Sequence, residues 1–187
     1  CSRPPVPSCS GGPTGSSSRT SSTPSPVPGA RSVTGGWRTA CRQPGGTCRL
    51  AFKDNSLIVT SDGGDPHLSY RLAAAVNEQK LILTFTMKSN SKGGGQIFWH
   101  EQGIAPAFFR DRSKRFNVHH DGKPHHYRVG ISAENPILAV RIDPSTAPGK
   151  IEISDIRLIT EDDRLIHHWN LNTTALPVSA SSAAIRS

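Results

Sequence analysis

Acidic residues are missing from the first quarter of the chain. Across 187 residues, 22 Lys plus Arg stand against 14 Asp plus Glu, a formal charge of +8, yet no acid precedes Asp54. Residues 1–53 hold seven basic groups (Arg3, Arg19, Arg31, Arg38, Arg42, Arg49 and Lys53), and residues 54–187 hold the other 15 together with all 14 acids. The excess therefore reads as a property of one end and not of a basic globular domain. Long apolar runs are also missing. The longest are pieces such as Leu81-Ile82-Leu83, far short of the roughly 18 residues of a membrane-spanning helix, so no transmembrane segment is expected. Heptads and internal repeats are absent, which excludes coiled coils and solenoids.

Catalytic signatures are lacking as well. The chain has no G-x-S-x-G, no H-E-x-x-H and no Walker A motif, since Gly11-Gly12-Pro13-Thr14-Gly15-Ser16 carries no lysine. Glu101 and Asp111 could form an acid pair for glycoside chemistry, but solvated surface charge is the simpler account. Specific nucleic-acid recognition is not expected either. The N-terminal cations are spread singly, with no aromatic before Trp37 on which a base could stack.

Residues 1–36 contain ten Ser, four Thr, seven Pro and six Gly. Such a stretch cannot bury enough apolar surface to offset its ordering entropy, so it is expected to be a disordered tail or linker. Aromatic and β-branched residues recur from Trp37 to Leu171, which places one domain at residues 37–171. Residues 172–187 are small and polar again, and a frayed tail is expected there. The chain begins with Cys1 before this Ser/Pro/Gly stretch. That fits a lipid-modified mature N-terminus in an extracytoplasmic protein, and equally a fragment start.

Within residues 37–171 the dominant period is two. Leu81, Leu83, Phe85 and Met87 share one face of a segment whose other face is mostly Lys and Thr. Leu57 and Val59, then Leu68, Tyr70 and Leu72, then Leu138, Val140 and Ile142 repeat the pattern. Asp62-Gly63-Gly64, Lys92-Gly93-Gly94-Gly95, Asp121-Gly122 and Asp143-Pro144 punctuate it with turns. About eight to ten strands so spaced predict an all-β antiparallel β-sandwich. Phe116, Val118 and His120 match His125, Tyr127 and Val129 in parity across Asp121-Gly122-Lys123-Pro124, which predicts a hairpin pairing His120 with His125 and His119 with His126. Ile151 and Ile153 are out of phase with Ile156 and Leu158, and a β-bulge near Ser154-Asp155 would restore a common inward face.

Cys41 and Cys48 could close a small disulfide loop over Gln43-Pro44-Gly45-Gly46, with two free thiols as the alternative. The four cysteines, Cys1, Cys9, Cys41 and Cys48, lack the spacing of a zinc site. The hairpin would bring His119 and His126 together with Asp121 as a third metal ligand, although no fourth is visible and cross-strand histidine hydrogen bonds are the plainer account. Asp143 and Asp155, with Asp162 and Asp163, could serve a structural calcium site of the jelly-roll kind, against solvated strand-end acids. No other cofactor is expected. Asn172-Thr173-Thr174 fits a glycosylation sequon. The segment from Gly93 to Arg112 concentrates the side chains suited to a sugar face and its anionic substituents. Trp99, His100, Glu101, Phe108, Phe109, Arg110 and Arg112 are the candidate ligand-binding residues, with Trp99 and Phe109 as core residues the competing account.

Gly95-Gln96-Ile97-Phe98-Trp99, Phe109-Arg110-Asp111-Arg112-Ser113, Phe116 with Asp121-Gly122 and His125-His126-Tyr127, Val140-Arg141-Ile142-Asp143-Pro144, and Ile151-Glu152-Ile153 with Ile156-Arg157-Leu158 follow one another in order. Over about residues 36–171 this succession resembles the C-terminal β-sandwich domains of secreted bacterial arylsulfatases, and it is similar in architecture to galactose-binding-like jelly rolls and carbohydrate-binding modules. The resemblance implies a non-catalytic accessory module of a sulfatase-type protein, exported from the cytoplasm, whose partners are a catalytic sulfatase domain and a polysaccharide that could be sulfated. Catalysis itself is not implied. The family's C-x-P-S-R motif is matched neither by Cys1-Ser2-Arg3-Pro4-Pro5 nor by Cys41-Arg42-Gln43-Pro44. A structural module that packs on a catalytic domain and binds no ligand is the alternative.

Overall fold

The computed structural model describes residues 36–42 and 46–172. The expected N-terminal tail up to Gly35, the lipid-anchor reading of Cys1, the sequon threonines and the C-terminal tail from Thr173 lie outside the described residues. Eleven strands are found among those described: β1 (Trp37–Cys41), β2 (Cys48–Lys53), β3 (Ser56–Ser61), β4 (Pro66–Val76), β5 (Lys80–Ser89), β6 (Gly95–Glu101), β7 (Ser113–Phe116), β8 (Pro124–Ser132), β9 (Ile137–Asp143), β10 (Gly149–Thr160) and β11 (Leu165–His168). A single 3-10 turn, Arg110–Arg112, precedes β7. No helix among the described residues is long and apolar enough to cross a membrane.

The strands form two antiparallel sheets. One has the order β1-β4-β9-β6-β7; the other has the order β2-β3-β10-β5-β8, with β11 added beside β10. The chain is thus an antiparallel β-sandwich, as the alternating pattern requires. Leu81, Leu83, Phe85 and Met87 of β5 are each at most 1% exposed and face Leu68, Ile97, Val140 and Ile142 of the opposite sheet in one core. Burying each such side chain stabilises the fold by about 2 kcal/mol before entropy is counted.

β10 is the longest strand, and its two halves have different neighbours. Residues 149–154 pair with β3, whereas 157–159 pair with β11. Opposite β5 the register steps from Ser154↔Thr86 to Arg157↔Thr84, so Asp155 and Ile156 together oppose Phe85. Asp155 takes φ 50° to make the step. The bulge falls where the phase change demands it, and Ile151, Ile153, Ile156 and Leu158 are all fully buried.

Two expectations are corrected. Leu138 does not face the core. A register shift between β6 and β9 pairs His100 with Ala139 but Glu101 with Ile137, so Leu138 is the unpaired residue and Ile137 is buried instead. The 113–132 region is not a hairpin: β7 pairs with β6, β8 pairs with β5, and residues 117–123 cross between sheets. The parity still matched because Phe116 and Tyr127 both point inward, with ring centroids 5.4 Å apart. A turn that was missed in the sequence joins β2 to β3. Asp54 (φ 50°) and Asn55 (φ 57°) form a two-residue loop between the paired Lys53 and Ser56, the geometry of a type I′ turn.

At the seam beside β1 and β11, Trp37, Tyr70, His167 and Trp169 pack ring against ring with centroids 4.5–6.0 Å apart. Cys41 and Cys48 are joined by a disulfide that links β1 of one sheet to β2 of the other. At the opposite end Glu101, 4% exposed, accepts from Trp99 Nε1 (2.9 Å), Asn135 N (3.0 Å), Asn135 Nδ2 (3.2 Å) and Glu134 N (3.3 Å), tying β6 to the β8–β9 turn.

Reducing the disulfide releases a seven-residue separation, and loop entropy predicts a loss of about 2.5 kcal/mol. Urea denaturation with and without reductant measures it; a Cys41→Ser/Cys48→Ser variant should match the reduced protein. Burial alone would raise the Glu101 pKa, but the N–H donors of Trp99, Asn135 and Glu134 outweigh it and hold the carboxyl below its ordinary 4.5. A depressed carboxylate stabilises the fold fully above that value and less as pH falls through its own. Glu101→Gln should therefore lose about 2 kcal/mol at neutral pH, with the difference shrinking in acid. A pH-independent deficit would show that charge is not what the cage holds.

Candidate functional site

Strand alternation sends one set of side chains from the five-stranded sheet into the core and the other set outward. Register assigns the outward set in rows. Arg38, Ser69, Arg141, Phe98 and Ser113 are successive partners across β1, β4, β9, β6 and β7. Two residues along, Asp143, Gln96 and Arg115 are partners, and Ala40 pairs with His67. On the other side of the first row, Arg71 partners Ala139, which partners His100. The outer face of this sheet is thus a band of Arg, His, Gln and Asp with one aromatic at its centre.

The centre of the band is tightly held. Arg141 and Asp143, alternate residues on β9, form a two-bond ion pair (Nε–Oδ1 2.6 Å, Nη2–Oδ2 2.5 Å) with side chains only 9% and 8% exposed. The guanidinium carbon stands 5.0 Å over the Phe98 ring, itself 6% exposed. Stacking and the carboxylate fix the guanidinium in one orientation. Burial pushes the Asp143 carboxyl up while Arg141 pulls it down, and burial prevails. His67 is half-buried; burial and then the Arg141 charge hold its pKa below the ordinary value, so the ring is neutral at pH 7. Its Nδ1 is sealed and has no hydrogen-bond partner.

One end of the band opens into a recess of about 210 Å³ lined by Arg42, Asp65, Gln96, Arg115, Asp143 and Thr146, among others. Arg42 pairs with Asp65 at 3.5 Å. The glycine run shapes this rim. A Cβ on Gly95 would sit 2.3 Å from the Phe116 ring, and Gly93 (φ 94°) would drive one into the Thr146 hydroxyl. At the other end the loop after β6 places Phe108 edge-on to His100, centroids 6.2 Å apart, and Arg112 Nη2 donates to Pro106 O at 2.7 Å to strap it.

Of the seven residues selected in the sequence, the structure brings His100 and Phe108 to this face. Trp99 is a core residue, 5% exposed, and Glu101 is its hydrogen-bond partner with both oxygens accepting; Glu101 lies away from this face and borders a separate recess with Ile104, Asp111 and Arg112. Phe109 (42% exposed) and Arg110 are exposed at the start of the 3-10 turn, and Arg112 is the loop strap. The metal candidates do not assemble. His119 stacks on His125 (4.4 Å) and not on His126, which is exposed on β8 opposite Thr86. Asp121 bonds His125 at 3.0 Å, Asp155 pairs with Arg157 (2.8 Å) and His168 (3.4 Å), and Asp143 is taken by Arg141. Among the described residues no three His, Cys, Asp or Glu side chains gather as metal ligands. Phe98, Arg141, Arg38 and Arg71 were missed, although Arg141-x-Asp143 interrupting the apolar Val140 and Ile142 was a signal in plain sight.

No protein-family model matches the sequence, and no curated protein does. Among solved structures, a family 4 carbohydrate-binding module superposes with TM-score 0.53 and 9% identity, over 67% of this chain and 86% of that one. The enzymatically active domain of tailspike protein 4 from bacteriophage CBA120 superposes with TM-score 0.51 and 14% identity, over 70% of this chain and 19% of that one. A family 29 carbohydrate-binding module follows at TM-score 0.44 and 16% identity, over 66% and 77%. What the chain shares with the first two is the fold.

Proposed function

We propose that the chain is a non-catalytic carbohydrate-binding module and that the outer face of its five-stranded sheet takes a polysaccharide. The observation that carries the proposal is the band of Arg, His and Gln side chains that register lays across this face around the Arg141–Asp143 pair pinned over Phe98. A buried ion pair is a poor way to stabilise a sheet, because apolar residues of the same volume do as well or better. Its value is to hold the strands in fixed register beneath the accessible side chains of Gln96, His100, Arg38, Arg71 and Arg115, whose donors and acceptors suit the hydroxyls of a sugar chain. The shared fold with a family 4 carbohydrate-binding module supports this reading. Asp143 is ill-suited to acid–base work because both of its oxygens accept from Arg141. The Cys41–Cys48 disulfide fits an oxidising, extracytoplasmic setting. Placement beside a sulfuric ester hydrolase rests on the ordered sequence motifs alone.

Affinity electrophoresis and calorimetry against soluble polysaccharides test the proposal. Gln96→Ala/His100→Ala should weaken binding about tenfold, roughly one lost polar contact. Lys88→Ala, on the outer face of the other sheet, should not. No new reducing ends should form on prolonged incubation. If no polysaccharide is retained, the proposal fails and the chain is a packing module; if both variants bind alike, the site lies elsewhere.

A further inference from the structure

Both outer faces carry exposed cations, but on that of the five-stranded sheet the unpaired ones are all arginines. On the six-stranded sheet Lys80 lies 3.9 Å from Glu161, Arg128 lies 2.7 Å from Asp163 and Arg157 lies 2.8 Å from Asp155, while Arg49, Lys150 and Lys88, the last beside its register partner Glu152, enter no ion pair among the described residues. On the five-stranded sheet only Arg141 and Arg42 have such partners, namely Asp143 and Asp65. Arg38, Arg71 and Arg115 are exposed and enter no ion pair among the described residues. They are also spread across the sheet. Arg38 is on β1 at one edge, Arg115 is on β7 at the other, and Arg71 is on β4 between them. Four inter-strand spacings of about 4.8 Å put the two edges roughly 19 Å apart. Three free guanidiniums thus line a band much longer than one sugar ring.

We infer that this face selects an anionic polysaccharide, one whose uronate carboxylates or sulfate esters meet Arg38, Arg71 and Arg115 while its ring hydroxyls meet Gln96 and His100. The inference rests on the carbohydrate-binding reading of the same face and adds the ligand's charge. Both oxyanions suit a guanidinium fork, which binds either through two parallel N–H donors. A nucleic acid fits less well. The one aromatic at the centre of the band is capped by Arg141, so no base can stack there.

Calorimetry on the whole chain against three sets of polymers tests the inference: polygalacturonate and alginate, carrageenan and fucoidan, and neutral xylan and galactan. At least one acidic set should bind about tenfold or more tighter than the neutral set and weaken as ionic strength rises. The set that binds identifies carboxylate or sulfate as the anion. Arg38→Ala, Arg71→Ala and Arg115→Ala should each weaken acidic binding several-fold, and the triple variant should flatten the salt dependence. These side chains are exposed, so unchanged thermal unfolding will confirm an intact fold. Neutral polymers binding equally well, with sensitivity to Gln96→Ala/His100→Ala, would overturn the anionic inference and leave the carbohydrate reading standing. No binding to any polymer would overturn both. Tighter binding of a single-stranded oligonucleotide through the same arginines would overturn the inference in favour of a nucleic acid.

Discussion

The bulge at Asp155–Ile156 is the constraint on which the sandwich depends. β10 is the interior strand of the larger sheet and pairs with β3, β5 and β11. A strand of period two cannot keep Ile151, Ile153, Ile156 and Leu158 on one face unless one residue is absorbed between the pairs. Without the step, either half of β10 would turn isoleucine or leucine to water and Glu152 or Arg157 to the core. Asp155 can occupy the left-handed region at modest cost, and there its carboxylate is held by Arg157 and His168. The step also ends the pairing with β3 and begins that with β11, whose chain then delivers Trp169 and Leu171 to the seam; Trp169 N donates to Ile156 O at 3.1 Å.

The same alternation creates the candidate site. Val140 and Ile142 must face inward, so Arg141 and Asp143 must face outward on the central strand of the smaller sheet. Ile97 and Trp99 likewise send Phe98 and Gln96 out beside them. Neither set was free to vary independently of the core. The aromatic and charged groups of the face are thus positioned by strands, with the loop bearing Phe108 confined to one end.

How much of this was legible depended on whether a feature was local. Parity within one strand is local, and Leu81 to Met87 and the phase error of Ile151 to Leu158 could be read directly from neighbouring residues. Strand partnership is not. Phe116 and Tyr127 share an inward parity whether their strands pair or sit on opposite sheets, so the pattern could not separate a hairpin from a crossover. Leu138 shows the same limit: the shift that replaces it with Ile137 arises in the pairing with β6, which β9 alone does not encode. Trp99 and Glu101 were selected because their chemistry suits sugars, but their parity with Ile97 had already placed them inside. The outward alternates, Phe98 and Arg141, carried the better signal.

Charge shows how a local count misleads about a folded surface. The seven basic residues before Asp54 look like the property of a tail, leaving a nearly neutral domain. Four of them, Arg38, Arg42, Arg49 and Lys53, belong to the described sandwich, in β1, β2 and the residue after β1. β1 lies against β4 at the edge of the smaller sheet, so Arg38 and Arg42 are brought beside the band that ends at Arg115, about 75 residues further along the chain. Folding therefore parts the four: Arg38 and Arg42 join the smaller sheet's face, while Arg49 and Lys53 go to β2 at the edge of the larger sheet. Surface charge is thus read face by face, and not from the net charge of the chain or of any contiguous segment.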